Sequence, residues 1–267
     1  MLKNSTSDKY LIALGFFVAF FSSGIGIGGG AILVSMLTSV FGFDFKSAAS
    51  TSLAMIFPIT FVGAITHFCF YPGNFSIWYF MFIPMCVLGS FSGGHISSCK
   101  RLPELKYVFA LFLVIVSFKM LHVFDLPTMA CVNLNEFVGT YKMPIVMLFG
   151  FISGFISILL GVGCGLVMVP FFIIVLNFNI HGAICFSLTT MFFMSCSATF
   201  YHNEHKELNL QKIKIMIVPV MVGAILGASM SNNLPSIMLK KIFGIFLLFF
   251  ACKILLIDLL KRTKNAG

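Results

Sequence analysis

A stretch of 34 residues without a charged side chain, from Tyr10 to Phe43, carries a glycine cluster near its middle. Glycine occupies four of the five positions from Gly26 to Gly30. As one straight helix the stretch would be about 51 Å long, whereas the hydrocarbon core of a bilayer is about 30 Å thick. Because lipid offers no partner for free backbone groups, a helix is broken at that depth only where protein or a watery cavity surrounds the break. The stretch therefore predicts a broken helix inside a membrane.

Composition indicates an all-α integral membrane protein. Hydrophobic residues make up 59% of the chain and charged residues 9%, against about 25% charged in an average globular domain. The 17 basic residues give a formal charge of +9 but are scattered between apolar runs, which is typical of topogenic charge and not of a nucleic-acid-binding patch. The eight cysteines lack the spacing of a zinc site or a disulfide framework. We therefore expect no metal, no cofactor and no nucleic-acid partner.

Eight hydrophobic segments of membrane length can be marked, four in each half of the chain. They cover roughly residues 10–43, 47–70, 75–98, 104–122, 143–176, 180–201, 211–230 and 236–258. A polar stretch lies between the halves. We expect one membrane domain consisting of a first repeat at 1–122, a connector at 123–142 and a second repeat at 143–267.

The two halves are homologous repeats of one unit. Aligned without gaps at an offset of 135, residues 15–67 and 150–202 share 15 identities in 53 positions, roughly three times what the biased composition alone would give. The alignment places a second glycine cluster, Gly161–Gly165, on Gly26–Gly30. We therefore expect the first segment of each repeat to be broken at its glycine cluster.

Two arrangements of the repeats are open. If the first segment of each repeat enters and returns on one side, each repeat crosses three times and the repeats are inverted; if it crosses, the repeats are parallel. The inverted arrangement places 13 basic residues on one side and 4 on the other, and the parallel arrangement places 11 and 6. The positive-inside rule favours inverted repeats with both termini in the cytoplasm.

An unwound helix exposes N–H groups and a positive dipole end, and both favour an oxyanion near the midplane. Hydroxyl residues at the start of the next segment would add donors. The candidate substrate-binding residues are Gly26, Gly28, Gly29, Gly30, Ser50, Thr51, Ser52, Gly161, Gly163, Cys164, Gly165, Ser187, Thr189 and Thr190. Close helix packing is the alternative for the glycine clusters, and it is our interpretation of Gly89 and Gly223.

His67 and His202 occupy equivalent positions in the two repeats. We consider them for contact with a proton or the substrate, with a simply solvated histidine at the membrane interface as the alternative. All eight carboxylates lie at segment ends, in loops or near a terminus. Any proton coupling must therefore use the histidines, the proton of the substrate or a bound ion.

These residues resemble the TauE/SafE family of sulfite and organosulfonate transporters, also called the toluene-sulfonate uptake permease family. The resemblance runs nearly end to end and is carried by Gly26–Val34, Ala48–Leu53 and His67, and by Gly161–Pro170, Ala183, Ser187, Leu188 and His202. Ser35 stands where the family commonly has proline, and Ser50 where it commonly has glycine. Cys164 and Phe186 also replace residues expected to be small or polar.

The resemblance implies a multi-pass transporter of the bacterial inner membrane whose substrate is sulfite, an organosulfonate or a related sulfur compound. We expect a secondary carrier of this small anion that works by alternating access between the two repeats. A passive anion channel is the alternative, and an intramembrane enzyme is a weaker one. We do not expect an enzyme.

Overall fold

The computed structural model describes residues 4–43, 45–71, 81–97, 103–121, 134–160, 163–204 and 210–265. Throughout these residues the regular secondary structure is α-helical, which confirms the all-α class. The helices are α1 (Asn4–Ile25), α2 (Gly30–Ser39), α3 (Phe45–Phe70), α4 (Phe82–Ser97), α5 (Pro103–Met120), α6 (Leu134–Leu160), α7 (Gly165–Ile174), α8 (Ile180–Glu204), α9 (Leu210–Asn232) and α10 (Ser236–Asn265).

Each predicted first segment consists of two helices separated at a glycine cluster, α1 with α2 and α6 with α7. Gly29 lies beside the body of α1, because a Cβ added to it would be 3.0 Å from Val18 Cγ1 and 3.1 Å from Ser22 Oγ. Leu33 and Leu37 of α2 share a hydrophobic cluster with Leu11 and Val18 of α1. The chain therefore turns back along α1 after the first break.

The first helix of each repeat packs against the fourth helix of the other, α1 on α9 and α6 on α4. Small residues allow the close approach, since a Cβ at Gly223 or Gly227 would overlap the carbonyl group of Phe16 or Phe20. A Cβ at Gly89 would likewise overlap the carbonyl group of Phe151. Residue numbers rise together along both interfaces, so each pair is parallel. The packing role expected for Gly89 and Gly223 is confirmed.

Helices α3 and α8, which are equivalent in the two repeats, cross at the centre and run antiparallel. Phe57 and Phe192, which align with each other, stack with their ring centroids 5.2 Å apart. Towards the C-terminal end of α3, a Cβ at Gly63 would lie 3.2 Å from Leu188. Towards its N-terminal end, Leu53 clusters with Ala198. Sequence numbers therefore fall along α8 as they rise along α3.

The repeat extends to backbone detail after the breaks. Gly42 and its equivalent Asn177 both have positive φ, 67° and 54°, and asparagine tolerates this region better than most residues. The N–H of Phe43 donates to Leu37 O at 3.0 Å, and the equivalent N–H of Phe178 donates to Phe172 O at 2.9 Å. Helices α2 and α7 therefore end in the same turn.

Three helical segments in the described residues are long and apolar enough to span a membrane: Ser47–Phe70, Ile180–Thr199 and Lys212–Asn232. Shorter apolar stretches occupy α1, α4, α5, α6 and α7. Large apolar side chains such as Leu111, Leu148 and Val218 are more than 60% exposed. A surface of this kind is expected where lipid covers the protein.

Candidate site where the two helix breaks meet

The first break is held open by left-handed backbone at three glycines. The φ angles of Gly26, Gly28 and Gly29 are 79°, 83° and 72°, a region in which a side chain costs roughly 1–2 kcal/mol. The N–H groups of Gly26 and Ile27 both donate to Ser22 O, at 2.8 and 3.2 Å, and end α1. Glycine is therefore required by the backbone at each of these positions.

The second break repeats the first only in part. Gly163 has φ 80°, as its equivalent Gly28 does. Cys164, the equivalent of Gly29, has φ −81° and ψ −4°, so a side chain fits there without strain. Its carbonyl accepts the N–H groups of Val167 and Met168 at 3.0 and 2.9 Å. Gly161 lies outside the described residues.

The two breaks touch each other through their backbones. A Cβ at Gly165 would overlap the carbonyl oxygen of Gly26 and the backbone of Ile27. A Cβ at Gly163 would lie 3.5 Å from Ile27 O. Across the same contact the Ser187 hydroxyl donates to Gly26 O at 3.2 Å. The structure therefore brings the two predicted glycine clusters together in one centre between the repeats.

Apolar side chains close this centre. Met191 Sδ would be 2.6 Å from a Cβ on Gly28, and Ile56, which is equivalent to Met191, would be 3.9 Å from a Cβ on either Gly28 or Gly163. The Cys164 thiol points to Met194 Sδ at 3.5 Å. These side chains are at most 1% exposed, so the centre is closed to solvent in this conformation.

The electrostatics of the centre come from backbone dipoles. Helices α2 and α7 both begin at the breaks, at Gly30 and Gly165, and the first N–H groups of an α-helix have no intrahelical acceptor. Such helix ends carry a partial positive charge. Among the buried residues that the structure describes, the polar ones are serine, threonine and histidine, so no buried carboxylate opposes this charge. The arrangement suits a small anion.

Most of the predicted hydroxyl donors are engaged with backbone. Ser52 donates to Gly30 O at 3.3 Å, which places it at the first break as Ser187 is. Ser50, Thr189 and Thr190 donate to carbonyls of their own helices at 3.2, 2.8 and 2.9 Å. Thr51 differs, because its hydroxyl is buried and has no partner in the described part of the chain. Among the predicted hydroxyls, the O–H group of Thr51 therefore remains available to donate a hydrogen bond.

Two further hydroxyls belong beside the breaks and were absent from the predicted set. Ser22 and Ser157 lie in the last turns of α1 and α6, and each has a buried hydroxyl without a partner in the described residues. The two serines align in the repeat. Their identity in the repeat was the sequence signal that pointed to them. The two serines precede the glycines, however, whereas the predicted hydroxyl donors all follow them.

His67 is buried and not solvated. Its Nε2 lies 3.0 Å from Ser23 O and its Nδ1 lies 3.0 Å from Asn232 Oδ1. The alternative of a solvated interface histidine is therefore wrong for His67. His202 lies in the last turn of α8, and its side chain is outside the described residues.

A known protein family matches both halves of the chain. The family described as "Sulfite exporter TauE/SafE" matches residues 3–120 and 146–266, which together are most of the chain and fall on the two halves. A protein of Bacillus subtilis (strain 168), "Probable membrane transporter protein YdhB", is 25% identical over 234 residues, covering 84% of this chain and 94% of its own.

A second relative comes from Methanocaldococcus jannaschii. "Probable membrane transporter protein MJ0441" is 29% identical over 119 residues, covering 42% of this chain and 45% of its own. No solved structure matches the chain.

Proposed function

The chain belongs to the TauE/SafE family, a family of membrane transporters, and we propose that it is a secondary carrier of a small anion that works by alternating access. The observation that carries the proposal is the backbone contact between Gly165 and the Gly26–Ile27 segment. It joins two helix breaks from the two halves of the chain in one buried centre. Carriers built from two repeats hold their substrate at such an interface between broken helices.

The repeats are inverted in this proposal. Equivalent helices related by an axis along the membrane normal would be parallel, whereas α3 and α8 run antiparallel past the Phe57–Phe192 stack. The position of Gly29 beside Val18 supports a first segment that enters and returns on one side. With three crossings in each repeat, the 13-to-4 distribution of basic residues puts both termini in the cytoplasm of a bacterial inner membrane.

The substrate is sulfite, an organosulfonate or a related sulfur oxyanion in this proposal. The helix ends at Gly30 and Gly165 offer N–H donors and partial positive charge. The hydroxyls of Thr51, Ser22 and Ser157 are buried and have no acceptor in the described residues. Such donors suit several oxygens on a small tetrahedral or pyramidal head group. The family description, which names a sulfite exporter, supports the same class.

Alternating access requires the closed centre to open towards each side in turn. The contacts that would have to loosen are those of Gly165 and Ser187 with Gly26, and that of Met191 with Gly28. Each joins one repeat to the other, so movement of one repeat against its partner would open the centre. A passive channel would need this centre to stay open during conduction.

A two-stage experiment tests the proposal. Thermal-shift measurements on purified protein with sulfite, sulfate, thiosulfate, taurine and sulfoacetate would identify the anion that stabilises it most. Counterflow of that anion would then be measured in proteoliposomes. Saturable counterflow supports the carrier, whereas an unsaturated, voltage-driven current contradicts it and supports the channel.

A further inference from the structure

We propose that His67 is a proton-binding site that couples proton movement to substrate movement. The proposal rests on the carrier function above and adds the coupling ion to it. His67 projects from α3 into the space beside the C-terminal ends of α1 and α9, where Ser23 and Asn232 face its ring. It is fully buried. Because an ionisable residue is costly inside a membrane, a buried one indicates a functional site.

The hydrogen bonds around Asn232 fix what faces the imidazole. Asn232 Nδ2 donates to Ala228 O at 2.9 Å, so the other amide atom, the acceptor Oδ1, must face His67 Nδ1 at 3.0 Å. The second ring nitrogen, Nε2, faces the Ser23 carbonyl oxygen at 3.0 Å. Both nitrogens therefore face acceptors, although a neutral imidazole has only one N–H to donate.

Different groups stabilise the charged and the neutral form of the His67 ring. The imidazolium form donates to both acceptors, but its charge is buried, and burial opposes it. The neutral form carries no charge, but the lone pair of its unprotonated ring nitrogen then faces an acceptor. The hydroxyls of Ser23 and Ser231 are buried and without partners in the described residues, and Ser23 Oγ lies beside Gly63, one turn before His67. Rotation of such a hydroxyl would supply the missing donor.

Few other titratable groups act on this ring. From α8, His181 influences His67 electrostatically, and its own ring lies 6.1 Å from that of Tyr71. The parts of α1 and α9 that pack around His67, residues 15–25 and 221–232, contain no titratable side chain. Protonation of His67 is therefore governed mainly by its burial and by the two acceptors.

The position of the site links protonation to conformation. Ser23 and His67 belong to the first repeat and Asn232 belongs to the second, so relative movement of the repeats removes one acceptor from the ring. Ser23 also lies three residues before Gly26, at the end of the helix that leads into the break. A movement that changes access to the anion therefore changes the affinity for a proton, and by linkage the proton changes the conformational equilibrium.

The test uses sulfite as the substrate and a pH dye inside proteoliposomes. Wild-type protein should accumulate sulfite in response to a pH gradient and should move protons when sulfite is added. His67→Gln should reduce proton-driven accumulation by at least about tenfold and keep sulfite counterflow within about threefold, because coupling is lost while anion binding remains. His181→Gln leaves both acceptors of the His67 ring in place, so it is the matched control and should keep both activities within about threefold. Proton-driven accumulation retained by His67→Gln would overturn the proposal.

A second measurement does not depend on the substrate. NMR of protein labelled in the histidine rings, assigned by comparison with His67→Gln, should show the His67 ring gaining a proton as the pH is lowered. Asn232→Asp places a carboxylate against Nδ1 and should move that transition upward by about one pH unit. A ring that gains no proton over the pH range in which the protein stays folded overturns the proton site. Absence of wild-type counterflow with a titrating His67 instead contradicts the carrier.

Discussion

The two helix breaks have the same place in their repeats and differ in how their backbones are built. The first uses positive φ at Gly26, Gly28 and Gly29. In the described part of the second, Gly163 has positive φ, whereas Cys164 has φ −81°. Among the described residues, Gly28 and Gly163 are therefore the equivalent pair that shares the left-handed conformation.

The surroundings of these two glycines differ more than their backbones. A Cβ on Gly28 would lie 2.6 Å from Met191 Sδ, whereas the nearest atom to a Cβ on Gly163 is Ile27 O at 3.5 Å. Gly28 is therefore tightly covered by a side chain from the other repeat, whereas a methyl group at Gly163 would make only ordinary contacts.

The largest expected effect is a difference in transport rate between variants at Gly28 and variants at Gly163. Alanine at either position meets the same backbone strain of roughly 1–2 kcal/mol, but at Gly28 it also meets Met191. Gly28→Ala should lower the initial rate of sulfite counterflow by at least about tenfold and Gly163→Ala by about two- to threefold, at matched protein content in the vesicles. Equal losses would show that strain alone decides the effect and that the crowding at Gly28 is irrelevant.

A rescue experiment sharpens the same comparison. If the methyl group introduced by Gly28→Ala collides with Met191, then adding Met191→Ala to that variant should restore counterflow to about the level of Gly163→Ala, because only strain would remain. Met191→Ala alone is the control for loss of the methionine. No recovery in the double variant would mean that the movement of Met191 is not the cause of the defect.

The helix breaks could be predicted because they depend on local sequence. The offset of 135 residues links Gly28 to Gly163, and the structure gives both the same left-handed backbone. The packing of Gly89 and Gly223 was also predictable, since small residues four apart allow membrane helices to approach closely.

The partners of the polar side chains could not be predicted in the same way. Ser and Thr in apolar helices commonly donate to a carbonyl one turn back, as Thr189 and Thr190 do, and sequence does not separate these from a free hydroxyl such as Thr51. The burial of His67 depends on Asn232, which is 165 positions away. Contacts of that range follow from the packing of the repeats, which residue types alone do not specify.

A smaller effect is expected at the next pair of equivalent positions, Gly29 and Cys164. Gly29→Ala brings strain at φ 72° and contacts of 3.0–3.2 Å with Val18 and Ser22, and it should lower the melting temperature of the purified protein by about 2–6 °C. Cys164→Ala keeps φ −81° and removes only a thiol that contacts Met194 and Cys86, so it should shift the Tm by less than about 2 °C. A larger loss at Cys164 would show that its thiol matters beyond packing.

The smallest effect tests whether the Thr51 hydroxyl contacts the anion. Thr51 has a buried hydroxyl without a partner in the described residues, and its equivalent in the second repeat is Phe186. Thr51→Val keeps the shape and removes one hydrogen-bond donor, which is worth about 1 kcal/mol. It should therefore raise the KM for sulfite by about two- to fivefold with little change in maximal rate. Thr190→Val is the matched control, since the Thr190 hydroxyl already donates to Phe186 O, and its KM should stay unchanged. Equal KM values for both variants would remove Thr51 from the site and leave anion binding to the backbone of the two breaks and the hydroxyls of Ser22 and Ser157.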